Sequence, residues 1–121
     1  MPGGRIVCSS DCYHGTAKQL REILPQWGVR AEFVDTTDLG AVERALEPGA
    51  SLLWVETPSN PLLRISDLAA LAELAHARGA LFGCDNTFAS PVLQQPFAHG
   101  ADLVMHSSTK YLGGHSDVLG G

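Results

Sequence analysis

The chain has 121 residues, enough for one domain of ordinary size, and 45% of them are hydrophobic, so a packed core is expected rather than disorder. The formal net charge is -5 and no basic cluster is present, which argues against nucleic-acid binding. No apolar stretch reaches the roughly 18 residues of a membrane span, and the segment beginning at Met1 lacks the features of a signal peptide, so a cytoplasmic location without membrane attachment is expected.

Five short apolar runs, each bounded by Gly, Pro, Ser or Asp, predict buried strands. The runs cover residues 5–9, 31–35, 52–56, 80–85 and 102–106. Their length of five or six residues is too short for most helices and suits strands that are covered on both faces.

The first of three amphipathic stretches lies between the first two runs. Its apolar positions, at helical spacing, are Leu20, Ile23, Leu24 and Trp27, and Gly28 follows as a stop. Pro25 falls inside this pattern, and proline removes a helical hydrogen bond, so the helix is predicted to kink or end near Leu24.

Two further helices are predicted at residues 38–47 and 67–78. Thr37 and Ser66 are the expected N-caps because their hydroxyls can accept hydrogen bonds from the first helical turn. Gly79 follows the second of these helices as a C-terminal stop. The apolar face of that helix consists of Leu68, Leu71, Ala72 and Ala75.

Strand and helix alternate along the whole chain, which predicts an α/β fold with a mainly parallel sheet and flanking helices. In such a sheet all strands point the same way, and ligands bind outside the carboxyl ends of the strands. Chemically useful side chains follow four of the predicted strands. They are Tyr13 after the first, Asn60 after the third, Asp85 at the end of the fourth with Thr87 after it, and Ser107, Thr109 and Lys110 after the fifth.

A planar cationic heterocycle with an aldehyde and a phosphate would use this set of residues. Lys110 would form a Schiff base with the aldehyde, and Asp85 would pair with a protonated ring nitrogen. Ser107 and Thr109 would donate to phosphate oxygens. Tyr13 would cover a face of the ring, because aromatic rings stack favourably. Pyridoxal 5'-phosphate has all of these features and is the expected cofactor.

Each residue also has an ordinary structural interpretation. A lysine after a strand is usually a solvated surface charge, and an aspartate before Asn-Thr is usually a turn or cap residue. Other ligand classes lack their motifs, because the chain contains no GxGxxG, no phosphate-binding GxxxxGK[ST] and no GxSxG elbow. Three cysteines without a CxxC pair predict reduced, buried thiols, and five histidines without paired ligand spacing predict no metal site.

Four motifs resemble one enzyme family. They are Asp11-Cys-Tyr, Glu56-Thr-Pro-Ser-Asn-Pro, Asp85-Asn-Thr-Phe-Ala-Ser-Pro and His106-Ser-Ser-Thr-Lys-Tyr-Leu-Gly-Gly-His-Ser-Asp. Together they resemble the pyridoxal-phosphate-dependent enzymes of Cys/Met metabolism. The resemblance covers nearly the whole chain and implies the aspartate-aminotransferase-type architecture known as fold type I.

The resemblance also implies roles for the site residues. Lys110 would carry the Schiff base, and Asp85 would face the pyridine nitrogen. Ser107 and Thr109 would bind phosphate, while Tyr13 would stack and act as an acid/base. Asn60 would lie near the phenolic oxygen, and Thr87 stands beside Asp85 in the same motif, where the resemblance leaves its role open. Lys110 and Tyr13 are thus the expected catalytic residues. His14 stands where the family commonly has glycine, which leaves reaction preference open.

Residues 1–121 resemble part of the large, cofactor-binding domain, without the segment that precedes it or the small C-terminal domain that follows it in the family. The implied activity is γ-replacement or γ-elimination on homoserine-derived amino acids, as in cystathionine γ-synthase or γ-lyase. The alternatives are a β-lyase, a methionine γ-lyase, an O-acylhomoserine sulfhydrylase or an inactive fragment. The resemblance further implies a small-molecule amino-acid substrate and a homo-oligomer, which is a tetramer in the intact family.

Overall fold

The computed structural model describes residues 3–121 and shows five parallel strands flanked by helices. The strands are β1 (Arg5–Ser9), β2 (Arg30–Val34), β3 (Leu52–Glu56), β4 (Leu81–Asp85) and β5 (Leu103–Met105). The helices are α1 (His14–Lys18), α2 (Leu39–Leu46), α3 (Leu68–Ala77) and α4 (Ser90–Leu93). Met1 and Pro2, the first residues of the stretch considered for a signal peptide, lie outside the described residues.

The strands are arranged in the order β2-β1-β3-β4-β5, and each neighbouring pair is parallel. The predicted α/β class is therefore confirmed. The chain leaves β1 towards one edge of the sheet and, after β2, proceeds towards the other edge. Because parallel crossovers are right-handed, this reversal puts α1 on one face and both α2 and α3 on the opposite face.

The larger core lies between the sheet and the α2–α3 layer. Its strand residues alternate along β1, β3 and β4, as expected for side chains that point to one face of a pleated sheet. The largest fully buried members are Phe82, Leu46, Leu53, Leu71, Val7, Val42 and Val55. The predicted apolar face of α3 is confirmed, because all four of its residues are buried.

A smaller core covers the opposite face near β1 and contains Cys8, Cys12 and Leu20. Trp54 packs at its edge and extends across β4, where a Cβ atom built on Gly83 would lie only 2.6 Å from the indole Cε3. The absence of a side chain at Gly83 therefore leaves room for the indole ring.

The predicted strand bounds hold for β1 and β3 and differ by one residue at several other ends. Pairing with the neighbouring strand determines where a strand begins. Strand β2, for example, begins at Arg30 because this residue is aligned with Arg5, the first residue of β1. Asp102, predicted as the first residue of the last strand, instead uses its carboxylate to accept the Phe82 N–H at 2.8 Å and to contact His76. The carboxylate thus links the residue before β5 to β4 and α3.

The predicted helix around Leu20 begins earlier than expected, at His14. Helix α1 continues into a π-helical turn at Gln19–Ile23 and a 3₁₀ turn at Leu24–Trp27. The change of helical geometry at Leu24 confirms the effect predicted for the proline that follows. The early start was missed because residues 14–18 carry no apolar periodicity.

Both predicted N-caps are wrong by one residue. Asp38 caps α2 by accepting the Ala41 N–H at 3.0 Å, and Asp67 caps α3 by accepting the Ala70 N–H at 3.1 Å. The hydroxyl of Ser66 is buried and lies 2.8 Å from that of Thr36, so a tertiary contact has replaced the local one.

Short helical segments that the sequence did not predict follow the last two strands. They are α4, a 3₁₀ turn at Pro96–His99 and a turn at Ser108–Leu112. Within residues 3–121 the structure contains no helix of the length and hydrophobicity that crossing a membrane requires.

Candidate active site at the carboxyl ends of the strands

Asp85 is the last residue of β4, and only 5% of its surface is exposed. Its Oδ1 atom accepts the backbone N–H of Thr87 at 3.0 Å. Among residues 3–121 no hydrogen bond engages Oδ2, so this oxygen is available to a further donor. Burial in the sheet and a local backbone donor thus hold a carboxylate at the carboxyl edge with one acceptor atom unused.

Thr87 connects Asp85 to the segment that follows β5. Its hydroxyl oxygen accepts the backbone N–H of Ser107 at 2.8 Å. A hydroxyl that accepts one bond retains its own proton and a second lone pair. Three predicted site residues, Asp85, Thr87 and Ser107, are thereby brought together in one hydrogen-bonded chain.

A second network ties together the ends of β3, β4 and β5. The side-chain nitrogen of Asn86 donates to the Gln94 carbonyl at 2.8 Å and lies 3.0 Å from Nε2 of His106. Gln94 in turn donates to the Thr57 carbonyl at 2.7 Å. Sequence reasoning assigned no role to Asn86 or Gln94, and the fully buried amide of Asn86 became recognisable only when its partners were in place.

Lys110 lies in the turn that follows β5, and its side chain is exposed. Its backbone N–H donates to the Ser107 carbonyl at 3.1 Å, and its dihedral angles of φ -98° and ψ -123° interrupt the helical geometry of the turn. Its amine forms no ion pair within residues 3–121. The lysine is therefore held near Ser107 through its backbone while its amine remains free.

The hydroxyl of Thr109 accepts the backbone N–H of Gly120 at 3.2 Å. The Gly120 carbonyl also accepts the N–H of Ser108 at 2.7 Å. The segment around Gly120 thus closes over the turn and holds it in place. As with Thr87, the hydroxyl proton of Thr109 is left available to donate.

Tyr13 immediately precedes α1, and 55% of its surface is exposed. Its ring centre lies 4.4 Å from that of His14, with the planes tilted by 57°. Its backbone N–H donates to Oε2 of Glu56 at 2.5 Å. The ring is thus open to a partner while its backbone is attached to the end of β3.

Glu56 is a site residue that sequence reasoning missed, although it stands in one of the four motifs. It is buried and aligned with Asp85 across the β3–β4 pair. Burial, assisted by the nearby carboxylates of Asp85 and Asp11 and opposed by the Tyr13 N–H, raises the pKa of Glu56 to about 7. A carboxyl group at the end of a buried strand was the available signal.

Asn60 is the predicted site residue that the structure does not connect to the others. It is exposed in the loop after β3, where the Ser59 hydroxyl accepts the Arg64 N–H at 3.1 Å.

The described chain has two shallow pockets that lie away from the predicted site. One, of about 420 Å³, lies between α2 and α3, and the other, of about 290 Å³, lies beside Trp54. None of the predicted site residues lines either pocket.

All three cysteines are buried free thiols, as predicted. Burial raises the pKa of Cys84 to about 12, so this thiol stays protonated at neutral pH. Within residues 3–121 there is no group of three His, Cys, Asp or Glu side chains positioned to hold a metal ion.

Comparison with known proteins gives consistent matches over the whole chain. The sequence model of the family described as Cys/Met metabolism PLP-dependent enzyme matches residues 1–121. Cystathionine gamma-synthase of Mycobacterium tuberculosis is 52% identical over 120 residues, which are 99% of this chain and 31% of that protein. Cystathionine gamma-lyase of Bacillus subtilis is 47% identical over 119 residues, 98% of this chain and 31% of that protein.

The crystal structure of cystathionine gamma-lyase from Lactobacillus plantarum complexed with L-serine superimposes with a TM-score of 0.93 at 48% sequence identity. The match covers 97% of this chain and 31% of that one. The present chain therefore spans about a third of the length of these relatives.

Proposed function

Because the chain belongs to the Cys/Met metabolism PLP-dependent enzymes, we propose that the residues at the carboxyl ends of β3, β4 and β5 bind pyridoxal 5'-phosphate. We further propose that the protein acts on homoserine-derived amino acids by γ-replacement or γ-elimination, as its named γ-synthase and γ-lyase relatives indicate. The observation that carries the proposal is the hydrogen-bonded chain from Asp85 through Thr87 to Ser107, three residues before Lys110.

The residues present fit this cofactor chemically. Asp85 keeps one carboxylate oxygen unused, which suits a protonated ring nitrogen. Thr109 accepts a backbone N–H and keeps its hydroxyl proton for a phosphate oxygen, and the Ser107 hydroxyl stands two residues before it. The exposed ring of Tyr13 offers a stacking surface. Asn60 and Thr87 complete the proposed set, with Thr87 acting through its two backbone contacts.

When bound, pyridoxal phosphate supplies an electron sink that stabilises negative charge on the substrate carbon next to the amino group. The amine of Lys110 would take a proton from that carbon at Nζ and would then move a proton at the next carbon along. The hydroxyl of Tyr13 would serve as a second acid/base. The carboxylate of Asp85 would pair with the protonated ring nitrogen.

A second candidate is a chain that binds the cofactor without turning over substrate. It is favoured by two of the six arginines, Arg64 and Arg78, because they are paired with Asp35 and Glu43 outside the predicted site. A substrate carboxylate needs an arginine or an equivalent donor to be oriented, and orientation accounts for much of an enzyme's rate. Turnover of cystathionine or O-succinylhomoserine would support the first candidate and exclude the second. Activity as a β-lyase, methionine γ-lyase or sulfhydrylase would also exclude the second candidate.

The test of cofactor binding compares the two lysines of the chain, Lys18 and Lys110. Lys18 is exposed at the end of α1 and makes a matched control. Mixed with pyridoxal phosphate, the wild type and Lys18→Ala should develop an absorbance band at the edge of the visible range, and Lys110→Ala should not. Borohydride reduction and peptide mass spectrometry should place the added mass on Lys110. A label on Lys18, or a band that survives in Lys110→Ala, would refute the assignment.

A further inference from the structure

Glu56 has contacts that the proposed roles of the other residues do not explain. Its Oε2 accepts the Tyr13 N–H at 2.5 Å, and its own backbone N–H donates to the Ser9 hydroxyl at 3.0 Å. The carboxylate is buried, although Asp85 lies beside it on the neighbouring strand. Burying a second carboxylate next to the first is costly unless it makes a specific contact.

The contact is with Tyr13, a predicted site residue whose side chain has little support of its own. The Tyr13 ring is half exposed, and no side chain caps the start of α1 at this position. Once Glu56 is ionised, which its pKa of about 7 allows at and above neutral pH, its bond to the backbone N–H is charge-assisted and stronger than a neutral one. The link to Glu56 therefore fixes the backbone of Tyr13 at the carboxyl end of β3, one strand away from Asp85.

From this geometry we infer that Glu56 is a positioning residue that holds Tyr13 over the proposed cofactor site. The inference rests on the proposed function, because it assumes that the Tyr13 ring contacts the bound cofactor. Glu56 acts through Tyr13, so removing its carboxylate releases the tyrosine backbone and lowers the affinity for cofactor. Gln at this position retains an oxygen acceptor for the same N–H and should restore most of the effect.

The first test uses the cofactor-free protein. Hydrogen exchange of the Tyr13 amide should accelerate at least tenfold in Glu56→Ala and return close to the wild-type rate in Glu56→Gln. Glu73→Ala, which removes an exposed glutamate from α3, is the matched control and should leave the rate unchanged. Equal exchange in the wild type and Glu56→Ala would show that the carboxylate does not anchor Tyr13.

The second test measures the dissociation constant for pyridoxal phosphate in a double-mutant cycle. Glu56→Ala should weaken binding about tenfold, or ~1.4 kcal/mol, in the wild-type background. In the Tyr13→Ala background the same change should have less than a twofold effect, because the residue through which it acts is gone. A purely structural role would give additive losses and would overturn the inference.

The outcomes separate this inference from the proposed function. A wild-type chain that fails to bind pyridoxal phosphate would refute the proposed function, while the amide-exchange experiment still decides whether Glu56 anchors Tyr13. Normal binding by the wild type together with undiminished binding by Glu56→Ala would refute the role of Glu56 alone.

Discussion

The hydroxyl oxygen of Thr87 lies 2.8 Å from the backbone nitrogen of Ser107, and the Thr87 N–H donates to the carboxylate of Asp85. One threonine thus joins the end of β4 to the segment that carries Lys110. This contact couples the position of the proposed ring-nitrogen partner to that of the proposed phosphate donors.

Thr87→Val should destabilise the protein by ~1–3 kcal/mol, because it leaves the Ser107 N–H without its acceptor. It should also weaken pyridoxal phosphate binding, since Ser107 is released from residue 87, while the backbone N–H at that position still donates to Asp85. Urea unfolding and cofactor titration measure the two effects. Thr87→Ser keeps the hydroxyl and should resemble the wild type in both. A valine variant that binds the cofactor normally would show that this hydrogen bond does not organise the site.

The stability of the protein should fall as pH rises from about 4.5 to about 7, because of Glu56. Its pKa is raised in the folded state, mainly by burial, from 4.5 to about 7. The folded chain therefore binds more protons than the unfolded chain in this range, and the stabilisation, complete below pH 4.5, is lost as pH rises through about 7. Glu56→Gln should flatten this slope in urea unfolding measured across the range. An unchanged slope would contradict the raised pKa.

Asp35 provides the opposite dependence within the same molecule. Hydrogen bonds from Thr37, together with Arg64, lower the pKa of Asp35 to about 2. Its contribution to stability is present above its ordinary pKa of 3.8 and is lost as pH falls through about 2. Because the pair is largely exposed, Asp35→Asn should cost no more than about 1 kcal/mol at neutral pH. Acid unfolding of Asp35→Asn and of Glu56→Gln would distinguish the contributions of the two carboxyl groups to the pH dependence of stability. Asp35→Asn should alter the dependence below about pH 3.8, and Glu56→Gln should alter it between about 4.5 and 7.

Gly113→Ala should disrupt the turn that carries Lys110. A Cβ atom at Gly113 would lie 2.4 Å from the Ser108 carbonyl oxygen and 2.5 Å from Cγ1 of Val118. The first of these atoms belongs to the backbone and cannot rotate away, so we expect a loss of ~1–3 kcal/mol and weaker cofactor binding. The matched control is Gly40→Ala in α2, where the closest atoms belong to side chains at 3.3 Å or more. Equal thermal stability of the two variants would contradict this expectation.

Asp67→Ala should destabilise α3 by ~1 kcal/mol, since the aspartate caps the helix by accepting the Ala70 N–H. Ser66→Ala should act differently, by removing the buried contact with the Thr36 hydroxyl. The double variant Thr36→Val with Ser66→Ala should therefore recover part of the loss seen in Ser66→Ala, because both polar partners are then removed. No such recovery is expected when Thr36→Val is combined with Asp67→Ala. Thermal unfolding of this set tests the corrected cap assignment.

The sequence alone determined the alternation of strands and helices, since short apolar runs and the buried face of α3 follow directly from hydrophobic periodicity. It also placed Asp85 and Ser107 at strand ends and identified Lys110 within a family motif. These conclusions depend only on residues that are close together in the sequence, and hydrophobic periodicity and short motifs are patterns of such residues.

Only the tertiary structure decided which residues contact one another across strands. The strand order places Glu56 beside Asp85, and burial, together with that proximity, gives Glu56 its raised pKa. Hydrogen bonds between distant segments gave Thr87 and Asn86 their roles and drew Ser66 away from the cap predicted for it. Such contacts depend on the register and packing of the folded chain, and no local pattern in the sequence specifies them.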